Sequence, residues 1–186
     1  TVTMGMMNKV CAFTGHRPSK LPWRYNETDS RCVALKRVLT EQITALIEAG
    51  VTQFLSGMAE GTDIFCSEIV LALREKNPAI KLHCILPCTA QAEKWSVSSQ
   101  ELYRSILGRA DSVVYVSRDY HEKCMLDRNR FLVEHAAVLL AVYNGAKRSG
   151  TGATVNYARK MNREIIIIAP ITQHITHEGS ALNLKL

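Results

Sequence analysis

The sequence predicts one α/β domain of the Rossmann-like type: a three-layer sandwich with a mainly parallel sheet and helices on both faces. Apolar runs alternate with amphipathic stretches along the chain, which is the order of repeated strand–helix–strand units. The runs over 113–116, 138–142 and 165–169 are apolar throughout, which is typical of strands covered by helices on both faces. A length of 186 residues suits a single domain with its own core.

The predicted elements follow one another in order. Strands are predicted over 10–13, 53–55, 81–86, 112–116, 138–142 and 164–169, and helices over 30–48, 62–74, a stretch carrying Tyr103, Ile106 and Leu107, 127–135 and 154–161. Gly50 suits the C-cap of the first helix, and Thr62 or Asp63 suits the N-cap of the second.

The chain divides into three parts. Residues 1–8 are set apart as residues added ahead of an authentic Met or as a disordered N-terminus, and residues 9–170 form the nucleotide-binding domain. Residues 171–186 have weak periodicity and are predicted to be a C-terminal tail that either covers a sheet edge or is mobile.

Composition favours anionic ligands and argues against several classes of protein. The chain carries 23 Lys and Arg against 17 Asp and Glu, a formal net charge of +6. Its six cysteines are scattered among apolar neighbours, which predicts reduced thiols, no metal site and a cytoplasmic address. No apolar stretch reaches about 18 residues, so no membrane association is expected.

Three glycine-bearing loops follow predicted strands and form the candidate site. They are TGHRP at 14–18, SGMAEGTD at 56–63 and NGAKRSGTGAT at 144–154. Glycine lets the main chain approach a ligand closely, and the unpaired N–H groups at a helix start donate to phosphate oxygens. One such loop is explained by turn geometry alone, but three at the same sheet edge favour a ligand site. None matches the dinucleotide fingerprint or the phosphate loop of ATPases.

Polar and aromatic residues near the loops are further candidates. The first loop adds His16 and Arg17, the second adds Thr62, and the third adds Ser149, Thr151 and Thr154. His16 either contacts ligand or ties down the turn. Two arginines, Arg128 and Arg130, flank Asn129 and either clamp phosphate or lie on a solvated helix face with a salt bridge, for instance to Glu134. Trp95 either stacks on a base or packs against the sheet.

Five motifs in order carry a family resemblance: TGHRPSKLPWRY, FLSGMAEGTD, LPCTAQAEKW, CMLDRNRFLVEHA and AVYNGAKRSGTGATVNYA. Over residues 9–168 the chain resembles the YpsA-like family of the SLOG superfamily, which is related to the LOG, or lysine decarboxylase-like, proteins and to DprA. The resemblance implies a Rossmann-like fold that binds a nucleotide or a nucleotide-derived ligand such as NAD or ADP-ribose, as a sensor or an accessory protein.

The resemblance also implies which residues line the pocket. By match to the family's motifs these are Gly15, His16 and Arg17, then Ser56, Gly57, Glu60, Gly61 and Asp63, then Gly150, Thr151 and Thr154; Thr14 and Thr62 complete the loops. Glu60 is the expected acceptor for ribose hydroxyls.

Two alternative functions stay open. LOG-type phosphoribohydrolases carry a glutamate where this chain has Asn156, so an N-glycosidase would need another carboxylate, with Glu60 and Asp63 as catalytic candidates. SGMAEGTD also resembles the SGxAxGID signature of DprA, a single-stranded DNA-binding module. Because aromatics make up only 6% of the chain, we expect a small-molecule partner, not nucleic acid. A homo-oligomer is left open.

Overall fold

The computed structural model describes residues 9–179, which fold into seven strands and five α-helices. The strands are β1 (Val10–Gly15), β2 (Gln53–Ser56), β3 (Lys81–Leu86), β4 (Ser112–Tyr115), β5 (Val138–Val142), β6 (Glu164–Ile168) and β7 (Ile175–Glu178). The helices are α1 (Ser30–Glu48), α2 (Thr62–Lys76), α3 (Val97–Arg109), α4 (Cys124–Glu134) and α5 (Gly150–Lys160). A short 3₁₀ helix (Pro18–Lys20) follows β1. The predicted Rossmann-like α/β fold is confirmed.

All seven strands form one sheet in the order β4-β3-β2-β1-β5-β6-β7. The first six strands run parallel, and β7 pairs antiparallel with β6. The chain builds outward from β1 to β4 and then crosses to β5 on the other side of β1, so the strand order reverses between β1 and β5. In open α/β sheets, ligands bind outside the carboxyl ends of the strands at such a reversal.

Helices cover the sheet on both faces. One core cluster contains buried residues of α1, α2 and α3, such as Leu39 and Ile106, around the stacked rings of Phe13 and Phe54, whose centroids are 5.7 Å apart. The other cluster packs α4 and α5 against the opposite face, with Val133 and Val155 fully buried. Each face therefore removes a continuous apolar surface from water, which is the main favourable term in folding.

Local chemistry sets the ends of two helices that position the site. Gly50 follows the C-cap of α1 with a φ of +106°, a left-handed conformation that glycine adopts without a Cβ clash. The N-cap of α2 is Gly61 and not Thr62 or Asp63, because the chain turns into the helix through a φ of +88° at Gly61. Thr62 is instead the first helical residue.

The prediction for β4 is wrong in one respect. Its residues were expected to be covered on both faces, but β4 is an edge strand, and Val113, Val114 and Tyr115 are 37%, 36% and 49% exposed. A run of apolar residues predicts a strand, whereas its position within the sheet depends on the strand order.

The predicted tail contributes to the sheet. Residues 175–178 form β7 at the edge beside β6, and Arg159 of α5 donates to both carboxylate oxygens of Glu178 at 2.8 Å. The predicted N-terminal segment 1–8 and the end of the tail at 180–186 lie outside the described residues.

The part of the chain from 9 to 179 contains no helix long and apolar enough to cross a bilayer. All six cysteines are free and buried. Over the same residues, no three His, Cys, Asp or Glu side chains come together in a group that could hold a metal ion.

Candidate functional site

A cavity of about 380 Å³ lies where the strand order reverses, at the carboxyl ends of β1, β2 and β5. It is lined by the loop after β1, the loop before α2, the first half of α4 and the start of α5. The lining residues are Thr14, Gly15, His16, Arg17, Ser19, Lys20, Ala59, Asp63, Met125, Arg128, Asn129, Arg148, Ser149, Gly150 and Thr151. Members of all three glycine loops therefore meet at one cavity.

Two glycines and a threonine join the first loop to the second. A Cβ at Gly15 would lie 2.4 Å from the side chain of Thr62, and a Cβ at Gly61 would lie 2.7 Å from the carbonyl oxygen of His16. The Thr62 hydroxyl donates to that same carbonyl at 3.1 Å. Gly61 and Thr62 therefore fix the loop around the cavity without lining it.

His16 joins the first loop to the third. Its side chain is buried, and Nε2 accepts the backbone N–H of Asn144 at 3.0 Å, so the neutral ring carries its proton on Nδ1. Burial and, to a smaller extent, the positive charge of Lys20 lower the pKa of His16 below its usual 6.5. His16 is thus a neutral linker that lines the cavity and not a cation for phosphate.

Stability should fall as the pH is lowered through about 6.5, because His16 and His83 are both held neutral. In His83, Nε2 lies 2.6 Å from Gln53 Oε1 and Nδ1 lies 2.6 Å from Ser112 Oγ, and burial lowers its pKa too. The unfolded chain binds these protons more readily, so the stability that they contribute is present above the unfolded pKa and is lost below it.

Urea unfolding at about pH 8 and about pH 5.5 would measure this loss. We expect His16→Gln and His83→Gln each to remove part of the decrease, whereas His174→Gln, at an exposed position, leaves it intact. Because the raised pKa of Asp63 acts in the opposite direction, the test is the difference between variants: a decrease of equal size in the parent, His16→Gln and His83→Gln would contradict the assignment of neutral rings.

Arg128 is the most buried cation of the site, with 3% of its surface exposed. Its Nη1 donates to the carbonyl of Gly57 and to Gln91 Oε1 at 3.3 Å, and its Nε donates to Asn129 Oδ1 at 2.9 Å. A Cβ at Gly57 would lie 2.7 Å from the guanidinium carbon, so glycine is needed there to admit this side chain. Burial lowers the pKa of Arg128 and the charge of Asp63 opposes that shift, but a guanidinium stays protonated.

Asp63, the second residue of α2, is the buried anion of the site. Its Oδ2 accepts the backbone N–H of Ala59 at 3.1 Å, whereas its buried Oδ1 has no donor among residues 9–179. Burial raises the pKa of this carboxyl, and Arg128 is the strongest opposing influence. Within the described chain no ion pair joins Asp63 to Arg128, so each charge faces the cavity without a direct counter-ion.

The lining as a whole is basic. Arg17, Lys20, Arg128 and Arg148 outnumber the single carboxylate of Asp63. Helix α5 begins at the same cavity, where the Ser149 side chain caps the N–H of Gly152 at 2.9 Å. The positive end of the helix dipole adds to the attraction for an anion.

Several candidates from the sequence lie elsewhere. Ser56 is buried below the site, where its Oγ lies 2.7 Å from Ser67 Oγ, and the Thr154 hydroxyl donates within α5 to the carbonyl of Gly150. Arg130 is exposed on α4 and lies over the ring of Tyr157, 5.5 Å from its centroid.

Glu60 and Trp95 also lie outside the main cavity. They border a depression of about 50 Å³ on the far side of Gly61, together with Tyr25. Asn156 is exposed on α5 and accepts a hydrogen bond from Arg159 at 2.9 Å. Of the two catalytic candidates, only Asp63 lines the cavity.

Several lining residues were not assigned to the site from the sequence: Ser19, Lys20, Ala59, Met125, Asn129 and Arg148. Arg148 belongs to the third glycine loop beside Ser149, and a search for every basic side chain in that loop would have found it. Met125 carries no sequence signal, because an apolar residue in an amphipathic helix usually packs in the core.

Comparison with known proteins gives a family match. The family model described as "YpsA: YspA SLOG family" matches residues 11–172. A UPF0398 protein of Bacillus pumilus strain SAFR-032 is 36% identical over 138 residues, covering 73% of this chain and 74% of that protein. Another, from Bacillus licheniformis, is 30% identical over 154 residues, covering 82% and 84%.

Two solved structures share the fold. The single-stranded DNA-binding DNA processing protein A of Helicobacter pylori superposes with a TM-score of 0.58 at 16% identity, covering 88% of this chain and 66% of that one. DNA processing protein A (DprA) of Streptococcus pneumoniae superposes with a TM-score of 0.56 at 15% identity, covering 94% and 52%. Because the first of these proteins binds single-stranded DNA, the expectation that nucleic acid is not a partner is wrong.

Proposed function

The chain belongs to the YpsA family of SLOG proteins, and on that premise we propose that its cavity binds a nucleotide-derived ligand with a diphosphate, such as NAD or ADP-ribose. In this role the protein acts as a sensor or an accessory factor. The family match and the two structural neighbours support a role connected with nucleotides or nucleic acids.

One observation carries the proposal: a buried arginine and a buried aspartate with an unpaired carboxylate oxygen line the same cavity at the strand-order reversal. Arg128 is 3% exposed and Asp63 is 6% exposed. A buried charge without a partner costs free energy, so such groups persist where a ligand or a network compensates them. An anion beside Arg128 and a hydroxyl donor beside Asp63 Oδ1 would satisfy both.

A phosphorylated sugar supplies those two groups together. Phosphate oxygens accept the fork of a guanidinium, and a ribose hydroxyl donates to a carboxylate. Arg17 and Arg148 at the cavity mouth and the N-terminus of α5 provide room for a second phosphate. A ligand with only phosphate would leave Asp63 Oδ1 unsatisfied and repelled, so the site favours a sugar-linked diphosphate.

Binding is proposed ahead of catalysis, because Asn156, at the position of the glutamate in the LOG-type motif, points to Arg159 on the surface. Asp63 is the one carboxylate among the lining residues. Chromatography of NAD and ADP-ribose after incubation with the protein tests for cleavage: we expect both compounds to be recovered whole. Release of nicotinamide or free ribose phosphate would instead assign a hydrolase.

Thermal unfolding with a panel of ligands tests the binding proposal. The panel contains ADP-ribose, NAD, ADP, inorganic pyrophosphate, adenosine and a single-stranded oligothymidylate. A ligand at one hundred times its Kd stabilises by about 2.7 kcal/mol, which is about 5–10 °C in Tm for a chain of this size. We expect that shift with ADP-ribose or NAD, a smaller one with pyrophosphate and none with adenosine.

The panel also tests the classes of ligand against each other. If adenosine shifts Tm as much as ADP-ribose does, the site does not depend on phosphate. No shift with any phosphate compound up to millimolar concentration would refute the proposal. A shift with the oligonucleotide that exceeds all the others would assign the site to nucleic acid.

A further inference from the structure

A second cavity, of about 440 Å³, adjoins the diphosphate site on the side of β3. Arg17 and Met125 line both cavities, so the two form one groove with these side chains between its halves. The second half is bordered by the segment that follows β3 and carries Gln91 and Trp95. Of the residues in the three glycine loops, Arg17 alone lines this second cavity.

Hydrogen bonds of Gln91 connect the second half of the groove to the first. Gln91 Nε2 donates to the carbonyl of Gly57 at 3.1 Å and to that of Met58 at 3.4 Å, while its Oε1 accepts from Arg128 Nη1 at 3.3 Å. Gln91, which lines the second cavity, thus contacts Arg128, which lines the first.

The second cavity offers aromatic surface, which the first cavity does not. Trp95 is half-buried and is held by the ring of Tyr103, which meets it edge-on with centroids 5.1 Å apart. Tyr120 also lines this cavity and is 67% exposed. Rings that are fixed by packing but open to a concave surface suit stacking on a planar base.

The rim of the second cavity carries polar groups of both kinds. Glu93 presents acceptors and Lys94 presents donors, and both side chains are exposed. The edge of a nucleobase likewise alternates donors and acceptors. The second half therefore offers polar groups suited to the edge of a base, whereas the basic first half suits phosphate.

We propose that the second cavity is a nucleobase subsite, in which Trp95 stacks on the base of a ligand whose phosphates lie between Arg17 and Arg128. This inference rests on the proposed function. Free nucleotides and single strands share the required chemistry, a base linked to phosphate. The volume of each cavity, 380 Å³ and 440 Å³, is that of a small-ligand pocket, about 300–1,000 Å³, so a free nucleotide is the favoured source.

Calorimetric titration with ADP and with inorganic pyrophosphate separates the two halves of the groove. Stacking on an aromatic side chain contributes about 1–3 kcal/mol per base, so we expect Trp95→Leu to weaken ADP binding about 10-fold and to leave pyrophosphate binding unchanged. Leucine keeps the contact with Tyr103 apolar. Trp95→Phe keeps a ring and should retain most of the affinity for ADP.

Tyr25→Leu is the matched control, because Tyr25 is an exposed aromatic on the other side of Trp95 and outside both cavities. We expect it to bind both ligands as the parent does. Tryptophan fluorescence gives a second readout, since the chain has two tryptophans and Trp23 is 4% exposed. In a Trp23→Phe background, ADP should quench Trp95, whereas pyrophosphate should not.

The outcomes distinguish failure of this inference from failure of the proposed function. If the parent protein binds neither ADP nor pyrophosphate, the diphosphate site itself fails. If it binds both equally, and Trp95→Leu changes neither, the diphosphate site stands and the base subsite is refuted. If an oligothymidylate binds more tightly than ADP and Trp95→Leu weakens it about 10-fold, the stacking subsite stands and its ligand is single-stranded.

Discussion

Replacing Arg128 with glutamine is expected to weaken diphosphate binding about 100-fold. Among residues 9–179 the guanidinium lies between carbonyl and amide oxygens and meets no carboxylate directly, so a bound phosphate would be its counter-ion. Truncating one member of a buried charge pair costs about 2–5 kcal/mol, and 100-fold corresponds to about 2.7 kcal/mol. Isothermal calorimetry with ADP-ribose and with pyrophosphate measures the loss.

Arg130→Gln is the matched control for this variant. It removes the same charge two residues along α4, from a side chain that is exposed over Tyr157. Both variants change the net charge equally, so a general electrostatic effect would weaken binding in both. Loss of a specific contact would weaken binding in Arg128→Gln alone. Arg128→Lys should lie between, because lysine keeps the charge without the planar fork. If the Arg128→Gln variant binds ADP-ribose and pyrophosphate with affinities within about 3-fold of the parent's, a phosphate contact at this arginine is excluded.

Replacing Asp63 with asparagine is expected to change the affinity for two ligands in opposite directions. Asparagine is nearly isosteric, and its side-chain oxygen can still accept the N–H of Ala59, so the start of α2 is preserved. Pyrophosphate should bind more tightly, because a negative charge has left a site for anions. The ratio of the affinity for ADP-ribose to that for pyrophosphate should fall about 10-fold, since a hydrogen bond to a charged group contributes about 1.5–3 kcal/mol.

The pH dependence of binding gives an independent check on Asp63. Burial raises the pKa of this carboxyl above the usual 3.8, so it takes up a proton at a higher pH than exposed carboxyl groups do. As the pH falls, protonation of Asp63 should favour pyrophosphate in the parent protein. The same pH series with Asp63→Asn is the reference, because pyrophosphate titrates equally in both experiments and asparagine does not titrate. The difference between the two series therefore reports the titration of Asp63.

Glu60→Gln is the control, because Glu60 is a carboxylate three residues away that borders a different depression. We expect it to leave the preference between the two ligands unchanged. If Glu60→Gln reduces the preference for ADP-ribose and Asp63→Asn does not, then the sugar contact belongs to Glu60, and the ligand lies across the other depression.

The glycine loops could be placed from the sequence, but the directions of the two nearby carboxylates could not. The three glycine loops were placed at one sheet edge because each follows a strand, and members of all three line the cavity. Glu60 and Asp63 were equivalent candidates in the sequence. The positive φ of Gly61 between them turns the backbone, so one side chain borders the outer depression and the other enters the cavity.

Arg128 and Arg130 show the same limit on a helix. Residues two apart on an α-helix differ in direction by about 200°, so a pair that reads as one clamp in the sequence points to opposite sides. Which of the two faces the site depends on how α4 is rotated against the sheet. The packing of Leu132 and Val133 in the core fixes that rotation and buries Arg128.

The sequence by itself determined the α/β fold and the sheet edge that carries the glycine loops, because hydrophobic periodicity and glycine positions are local properties of the chain. The family followed from the resemblance of five ordered motifs. Only the tertiary structure decided that β4 is an edge strand, that Asp63 and Arg128 face one cavity, and that Trp95 borders the next one. These are properties of strand order and side-chain direction. They arise from contacts between residues far apart in sequence, which no local pattern records.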